Sequence, residues 1–271
     1  MSGRLIVCAT PIGNLDDVTL RLLATLRSAD VLACEDTRHT VGLLTRHGIT
    51  ARRLVSYHEH NETRRAPELV ARIAAGETVA LVTDAGMPLV SDPGHVLVRD
   101  VVAAGGRVEV LPGPSAALTA LVASALPADT WRFVGFLPRK AGELRALLAA
   151  ARETLVAFES PHRTAASLAA LAELDPGRPV AVCRELTKLH EEVARGSAAE
   201  LAARYAEAEP RGEVVLVVGQ PPPVEPDLGI ALVAVERLVA AGAKARPAAQ
   251  VVAELTGAPA NALYRGLLER K

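Results

Sequence analysis

Three loops built from small, turn-forming residues are where this chain of 271 residues could do chemistry. The segment Thr83 to Gly94 (TDAGMPLVSDPG) follows the apolar run Val79–Val82 and sets Asp84 and Asp92 among Gly86, Pro88, Pro93 and Gly94. Loops of the same style, Ala9 to Asn14 (ATPIGN) and Leu111 to Ser115 (LPGPS), follow two other apolar runs. Glycine and proline after a strand let backbone approach a ligand closely. One such loop is a tight turn as readily as a cradle. Three on one sheet point to a binding site, because open α/β sheets take ligands at the carboxyl ends of their strands. None matches G-x-G-x-x-G or G-x-x-x-x-G-K-[ST], which disfavours a dinucleotide site and a P-loop.

Charged clusters accompany these loops. From Cys34 the chain reads CEDTRHT, placing Glu35, Asp36, Arg38 and His39 directly after a strand-like run, and Arg52, Arg53, Tyr57, His58, His60, Asn61, Arg64 and Arg65 follow closely. Positive charge, imidazoles and an aromatic interleaved in this way suit a phosphate backbone with a base or ribose. A solvated, salt-bridged surface is the plain alternative. His58 and His60 form an H-x-H pair, but no third ligand stands at a clear spacing, so no metal is expected. In the second half, Phe158 to Arg163 (FESPHR) closes a strand and opens a helix, with Pro161 at its first turn and Glu159, His162 and Arg163 within reach of a ligand. Arg184 to Lys188 (RELTK) packs three charges after the run Val180–Cys183. No G-x-S-x-G elbow supports a Ser/His/Asp triad.

The elements that must position these residues alternate. Short β-type runs (5–9, 31–34, 79–82, 108–111) are separated by helical patterns at 20–26, 69–75 and 96–103, which predicts a parallel or mostly parallel sheet covered by helices. The pattern restarts with strands at 131–136, 154–158, 180–183 and 213–218, separated by helices at 140–150, 165–172 and 198–208, so a second α/β domain is expected. The expected division is an N-terminal α/β domain over 1–123, a second α/β domain over 124–219 and a C-terminal helical domain over 227–271. Gln220 to Pro226 (QPPPVEP) reads as a semi-rigid linker. In the tail, helices are expected at 228–241, 247–255 and from there to Leu268. Two short helices around Gly257 resemble a helix-turn-helix. A capping hairpin or a dimerisation arm accounts for the same pattern, since Lys244, Arg246, Arg265 and Arg270 are its obvious positive charges.

Composition bounds the rest. Half the residues are hydrophobic (50%), 23% are charged and only 3% are aromatic, so an aliphatic core is expected. With 30 basic against 31 acidic residues the net charge is −1, which argues against a protein held to nucleic acid by overall charge, though not against a local basic face. Cys8, Cys34 and Cys183 lie in apolar runs without C-x-x-C spacing, which suggests buried thiols in a reducing compartment. No run reaches the roughly 18 apolar residues of a membrane span, and Met1 to Arg4 leads into a strand rather than a signal peptide, so the expected location is the cytoplasm, with no membrane partner.

The ordered motifs ATPIGNLDD, CEDTR, SYHEHNE, VTDAGMPLVSDPG, LPGPSA, FVGFLPRK, FESPHR and CRELTK resemble one family closely. It is that of the bacterial 16S rRNA (cytidine-2′-O)-methyltransferases, the small subunit methyltransferases I, within the tetrapyrrole-methylase superfamily. The match runs from about Leu5 to Gly219, and the tail is similar to that family's C-terminal helices. The resemblance implies an α/β, two-domain tetrapyrrole-methylase-like (class III methyltransferase) fold with a small C-terminal helical domain. It also implies a homodimer and S-adenosyl-L-methionine held between the two α/β domains. The substrate so implied is 16S rRNA in the small ribosomal subunit, methylated on the ribose of cytidine 1402 in the decoding region.

By the same resemblance, the N-terminal glycine-proline loop corresponds to Pro11, Gly13 and Asn14, and the central loop to Asp84, Ala85, Gly86, Met87, Pro88 and Val90. Pro112, Gly113, Ser115, Ala116, Phe136 and Glu213 complete the implied cofactor contacts. Met87 stands where tetrapyrrole enzymes often carry Asp, which disfavours a porphyrin or corrin substrate. A ribose hydroxyl needs a base or a cation near its developing charge. Glu35 or Asp36 as base or orienter, Lys188 as electrostatic stabiliser and Glu185 as its partner are the candidates. Arg38, His58, Asn61, Arg64, His162 and Arg163 are the candidate RNA contacts, with the basic cluster between Arg38 and Arg65 and the C-terminal helices as contact surfaces. Two rivals remain open: a tetrapyrrole-precursor C-methyltransferase, and a cofactor-sensing RNA-binding factor without turnover.

Overall fold

Aliphatic runs too short for helices become most of the strands of two sheets. The structure is a computed structural model and describes residues 3–222 and 226–269. Pro223, Val224 and Glu225 of the expected linker, and Arg270 of the tail, lie outside the described residues.

The first sheet contains β1 (Arg4–Cys8), β2 (Val31–Cys34), β3 (Leu54–Ser56), β4 (Thr78–Val82) and β5 (Arg107–Leu111), in the order β3-β2-β4-β1-β5. Every pairing in it is parallel, so all five carboxyl ends open along one edge. Helices α1 (Leu20–Ser28), α2 (Thr37–Arg46), α3 (Glu62–Ala74) and α4 (His95–Ala103) connect these strands. Covered on both faces, β2 is buried at every position and β1 and β4 at all but their first. Helix starts are set locally: Thr19 accepts from the backbone N–H of Leu22, and Asp36 from that of Arg38. Strand β3 and helix α2 have no counterpart in the sequence reading, because β3 has only three residues and α2 carries a polar face over a short apolar one.

The second sheet contains β6 (Trp131–Phe136), β7 (Thr154–Glu159), β8 (Pro179–Arg184), β9 (Glu192–Ser197) and β10 (Val214–Val218), in the order β6-β7-β10-β8-β9. Only β6 and β7 run parallel; the other three pairings are antiparallel. Edge strand β9 (EVARGS) lacks the apolar run that announces a strand, so it has no counterpart among the expected elements. Helices α6 (Ala141–Ala150), α7 (Pro161–Leu174) and α8 (Ala198–Glu207) cover this sheet, and Ser197 and Glu200 form a capping box at the start of α8.

Helix α5 (Ala116–Ser124) joins the two halves. Its Ala117, Ala120 and Leu121 pack with Val156, Ala181, Cys183, Val215 and Val217 of the second sheet and with Ile12 from the first loop. A boundary after residue 123 therefore falls at the end of a helix that already packs on the second sheet. Both sheets lie in one compact unit, Met1–Pro221, and a second unit follows from Pro222. That second unit, taken by itself, is three helices, α9 (Leu228–Ala240), α10 (Ala245–Thr256) and α11 (Ala260–Glu269), around a core that includes Leu232, Val235, Ala249, Val252 and Leu263. Gly257, at φ 76°, ends α10 and turns the chain toward α11. Among the described residues no helix is long and apolar enough to cross a membrane.

The loop from Thr83 to Gly94 ends under tight constraint. Gly94 has φ 137°, and a Cβ there would lie 2.7 Å from Leu89 Cδ1 and 2.9 Å from Leu81 Cδ2. Replacing Gly94 with Ala is expected to lower the unfolding free energy by roughly 1–3 kcal/mol, through backbone strain and overpacking. Urea unfolding reads this directly, and an unchanged midpoint would show that the loop can shift at no cost.

Candidate active site

The three loops are braced side by side at the carboxyl edge of the first sheet. Thr10 and Gly86 exchange two backbone hydrogen bonds, 2.9 and 3.1 Å, and Thr10 Oγ1 donates to the Thr83 carbonyl at 3.1 Å. Gly113 passes Ala9 so closely that an added Cβ would sit 2.9 Å from the alanine methyl. The first loop also reaches the second half, where the Asn14 N–H donates to Thr187 Oγ1 at 3.0 Å. A Cβ on Gly13 would lie 2.5 Å from Lys188 Cγ. Among the described residues five non-glycine residues have positive φ, and four of them flank this region: Leu89, Ser91, Glu185 and Thr187. Strain concentrated in that way is a mark of preset binding loops.

Two adjoining cavities result. The larger, about 400 Å³, is lined by Ala85, Gly86, Met87, Val90, Ser91 and Asp92 from the central loop and by Ser115 and Ala116 at the start of α5. Phe136, Phe158, Glu159, Ser160, Pro161 and Gly212 to Val215 line it from the second half. Phe136 and Phe158 meet edge to face with centroids 5.6 Å apart and form an apolar wall. The smaller, about 370 Å³, includes Pro11, Gly13, Arg38, His39, Asp84 and Lys188, and shares Ile12, Ala85 and Glu213 with the larger.

At that junction Lys188 Nζ donates to Glu185 Oε1 at 2.8 Å and to Glu213 Oε2 at 2.9 Å. Partial burial works against its charge, but the two carboxylates outweigh it and raise the lysine pKa. The hydrogen bond from Lys188, helped by the Glu213 N–H, lowers that of Glu185. The acids under the central loop behave differently. Asp92 is pushed up to about 7 by burial, reinforced by the charges of Glu35 and Asp84. Glu35 is raised by burial and then by Asp84. Asp36 is held at about 2 by its hydrogen bonds to Arg38, and it caps α2. Asp84 accepts from the Asp36 N–H at 3.0 Å and pairs with His39 Nδ1 at 3.0 Å.

The sequence-expected residues divide accordingly. Ala85, Gly86, Met87, Val90, Ser115, Ala116, Phe136 and Glu213 surround the larger cavity, and Pro11, Gly13, Asp84, Arg38 and Lys188 the smaller. Asn14 lies beside Lys188 in an open depression. Pro88, Pro112, Gly113, Glu35, Asp36 and Glu185 line neither cavity; they build the loops and ion pairs behind them.

Two of the other expected RNA contacts, Asn61 and Arg163, are occupied internally. Asn61 Oδ1 accepts from the His58 N–H and its Nδ2 donates to the Ser56 carbonyl, closing the turn into α3. Arg163 donates to the carbonyls of Leu137 and Pro138 and pairs with buried Glu159. Within the basic cluster, Arg52 pairs with Asp30, and Arg53 and Arg65 both pair with Glu68, while Arg64 is exposed. His58 lines neither cavity, and His162 pairs with Glu209 at 3.1 Å in a depression next to the larger cavity. Nothing in the sequence says which of the two acids of the Thr83–Gly94 loop turns inward; the fold turns Asp92 into the larger cavity.

Two α/β sheets meeting at a cleft of strand-end loops define a methylase class: the model of the Tetrapyrrole (Corrin/Porphyrin) Methylases matches residues 4–202. The chain is 48% identical to "Ribosomal RNA small subunit methyltransferase I" of Mesorhizobium japonicum, over 98% of this chain and 92% of that one. It is also 48% identical to the protein of that name from Micromonospora olivasterospora, over 97% and 86%. The fold is shared with uroporphyrin-III C-methyl transferase of Thermus thermophilus, solved in complex with S-adenosylhomocysteine (TM-score 0.56, 23% identity, 80% of this chain and 97% of that one). The chain belongs to the ribosomal RNA small subunit methyltransferase I family.

Asp92 gives a pH signature. An acid with a native pKa of about 7, above its unfolded value, binds its proton more tightly when folded, so its stabilising contribution is full below about pH 4 and lost as pH rises through about 7. Asp92→Asn carries no such slope. The thermal midpoint of the wild type relative to that variant should fall between about pH 5 and about pH 8; a difference that stays flat over this window would refute the assignment.

Proposed function

We propose that the protein transfers a methyl group from S-adenosyl-L-methionine to the 2′-hydroxyl of a cytidine, position 1402 in the decoding region of 16S rRNA, within the small ribosomal subunit in the cytoplasm. The observation that carries this reading is the larger cavity, in which an apolar aromatic wall faces acids and a strained loop. Its volume of about 400 Å³ falls in the usual range of small-molecule sites. The wall of Phe136 and Phe158 suits an adenine ring, and Asp92 and Glu213 supply negative charge for a cationic cofactor. The relatives' shared name supports rRNA of the small subunit as the substrate. Met87, an apolar side chain in the central loop, supports a substrate other than a tetrapyrrole.

The cofactor brings a methyl group already activated on sulfur, so the chain's own work is alignment, exclusion of water and handling one proton. Asp92 is the better base. It lines the cavity with a pKa of about 7, whereas Asp36, held at about 2 and occupied by Arg38, is a poor proton acceptor at neutral pH. Lys188, held by Glu185 and Glu213 at the junction of the cavities, stabilises the oxyanion that develops as the hydroxyl loses its proton.

The protein acts as a homodimer. Exposed Val110, Leu118 and Val122, contributed by β5 and α5, support an apolar contact face. Sedimentation should read twice the 28.4 kDa chain mass, and a monomer at micromolar concentration would remove this part of the reading.

Incubation with radiolabelled S-adenosylmethionine and small subunits, free 16S rRNA or a tetrapyrrole precursor tests the whole. Label is expected in subunit RNA, at a ribose. Label in the tetrapyrrole alone, or in none of the three, would overturn the proposal in favour of a C-methyltransferase or a binding factor. Lys188→Ala should lose transfer by roughly 10²-fold or more while retaining cofactor binding; full single-turnover rates in that variant would remove its role.

A further inference from the structure

Beyond the larger cavity, the segment between α8 and β10 carries a second line of contacts. Pro161 and Gly212, at the cavity's edge, also line a neighbouring depression with His162, Glu209 and Arg211. Glu209, Pro210 and Arg211 then line a further pocket of about 290 Å³, together with Arg184, Glu192, Arg204 and Tyr205. Shared lining residues thus make the three hollows consecutive. A track leads outward from the methyl-transfer site across the second sheet's edge.

The charges along it are unbalanced. Arg184 and Arg204 converge on the single carboxylate of Glu192, with Arg184 Nε 2.6 Å from Glu192 Oε2. One acid therefore answers two guanidinium groups. The exposed Arg211 side chain has no partner among the described residues, and its carbonyl accepts from Arg184 Nη1 at 3.3 Å, which ties its backbone to the cluster. Glu209 is engaged by His162. Tyr205 is only 5% exposed, yet its buried hydroxyl makes no hydrogen bond among the described residues, which leaves a second uncommitted donor in the cluster. Forked guanidinium donors in excess of carboxylates, beside a phenol, match the oxygens of a phosphodiester.

We infer that this pocket, formed by Arg184, Arg204, Tyr205 and Arg211, binds a backbone phosphate of the RNA strand flanking the methylated nucleotide. The inference rests on the rRNA reading above. It adds a subsite that fixes the polymer's path, so that the ribose alone need not supply the binding energy.

Binding of small subunits by the wild type, Arg211→Gln and the double variant Arg204→Gln/Arg211→Gln, measured over a range of salt, tests it. Arg211→Gln removes no side-chain hydrogen bond or ion pair among the described residues, so its fold is expected to hold. The double variant should bind subunits roughly tenfold more weakly, with the slope of log K against log salt reduced by about 1–2. Affinity for S-adenosylhomocysteine and kcat at saturating subunit should stay at wild-type values. If the double variant loses its thermal midpoint, Arg211→Gln alone decides, with a slope reduced by about 1. Unchanged affinity and slope would overturn the subsite, as would weaker binding with an unchanged slope, which marks a contact to protein rather than to phosphate. Failure of the wild type to label subunit RNA is a different result, and it removes the proposed function itself.

Discussion

The passage of Gly13 beneath the second half of the molecule is the constraint on which the rest of the site depends. With a methyl group there only 2.5 Å from Lys188 Cγ and 2.9 Å from Thr187 Oγ1, no side chain fits unless Lys188 and Thr187 shift. That close approach lets the Asn14 N–H reach Thr187 and leaves Lys188 between Glu185 and Glu213. The same loop is clamped to the central loop through Thr10 and Gly86. A single stretch of backbone thus aligns elements far apart in sequence, and both cavities exist because it does so.

Much of this was legible in the sequence for a simple reason. In the first sheet the inner strands β1, β2 and β4 are buried aliphatic runs and every connection is a helix, so most strand ends, loops and their common edge follow from periodicity. The loops Ala9–Asn14, Thr83–Gly94 and Leu111–Ser115 could be singled out because glycine and proline mark where backbone must come close. What sequence could not supply was direction. Strand β9 is polar because it lies at an edge, and α5 follows the first sheet in sequence but packs on the second. Asp36 and Asp92 are both acids after buried strands; only the fold sends one to an arginine and a helix cap and the other into a cavity.

Charge pairing separates residues that look equivalent in a list of basic positions. The richest run of arginines, between Arg38 and Arg65, is largely answered by Asp36, Asp30 and Glu68. Arg163, beside the cavity, is absorbed by carbonyls and Glu159. At near-zero net charge, a surface that attracts a polyanion has to come from local surplus rather than from total content. The surplus next to the cavity is the pocket where Arg184 and Arg204 share Glu192 and the Arg211 side chain has no partner among the described residues.

The left-handed residues around the cleft, Leu89, Ser91, Glu185 and Thr187, carry one more consequence. Packing and hydrogen bonds hold them in an unfavourable backbone region. A wall fixed in this way by its neighbours loses little conformational entropy on association. The ordering cost of complex formation therefore falls mainly on the ligand, and the more freely that ligand moves in solution, the weaker the encounter becomes.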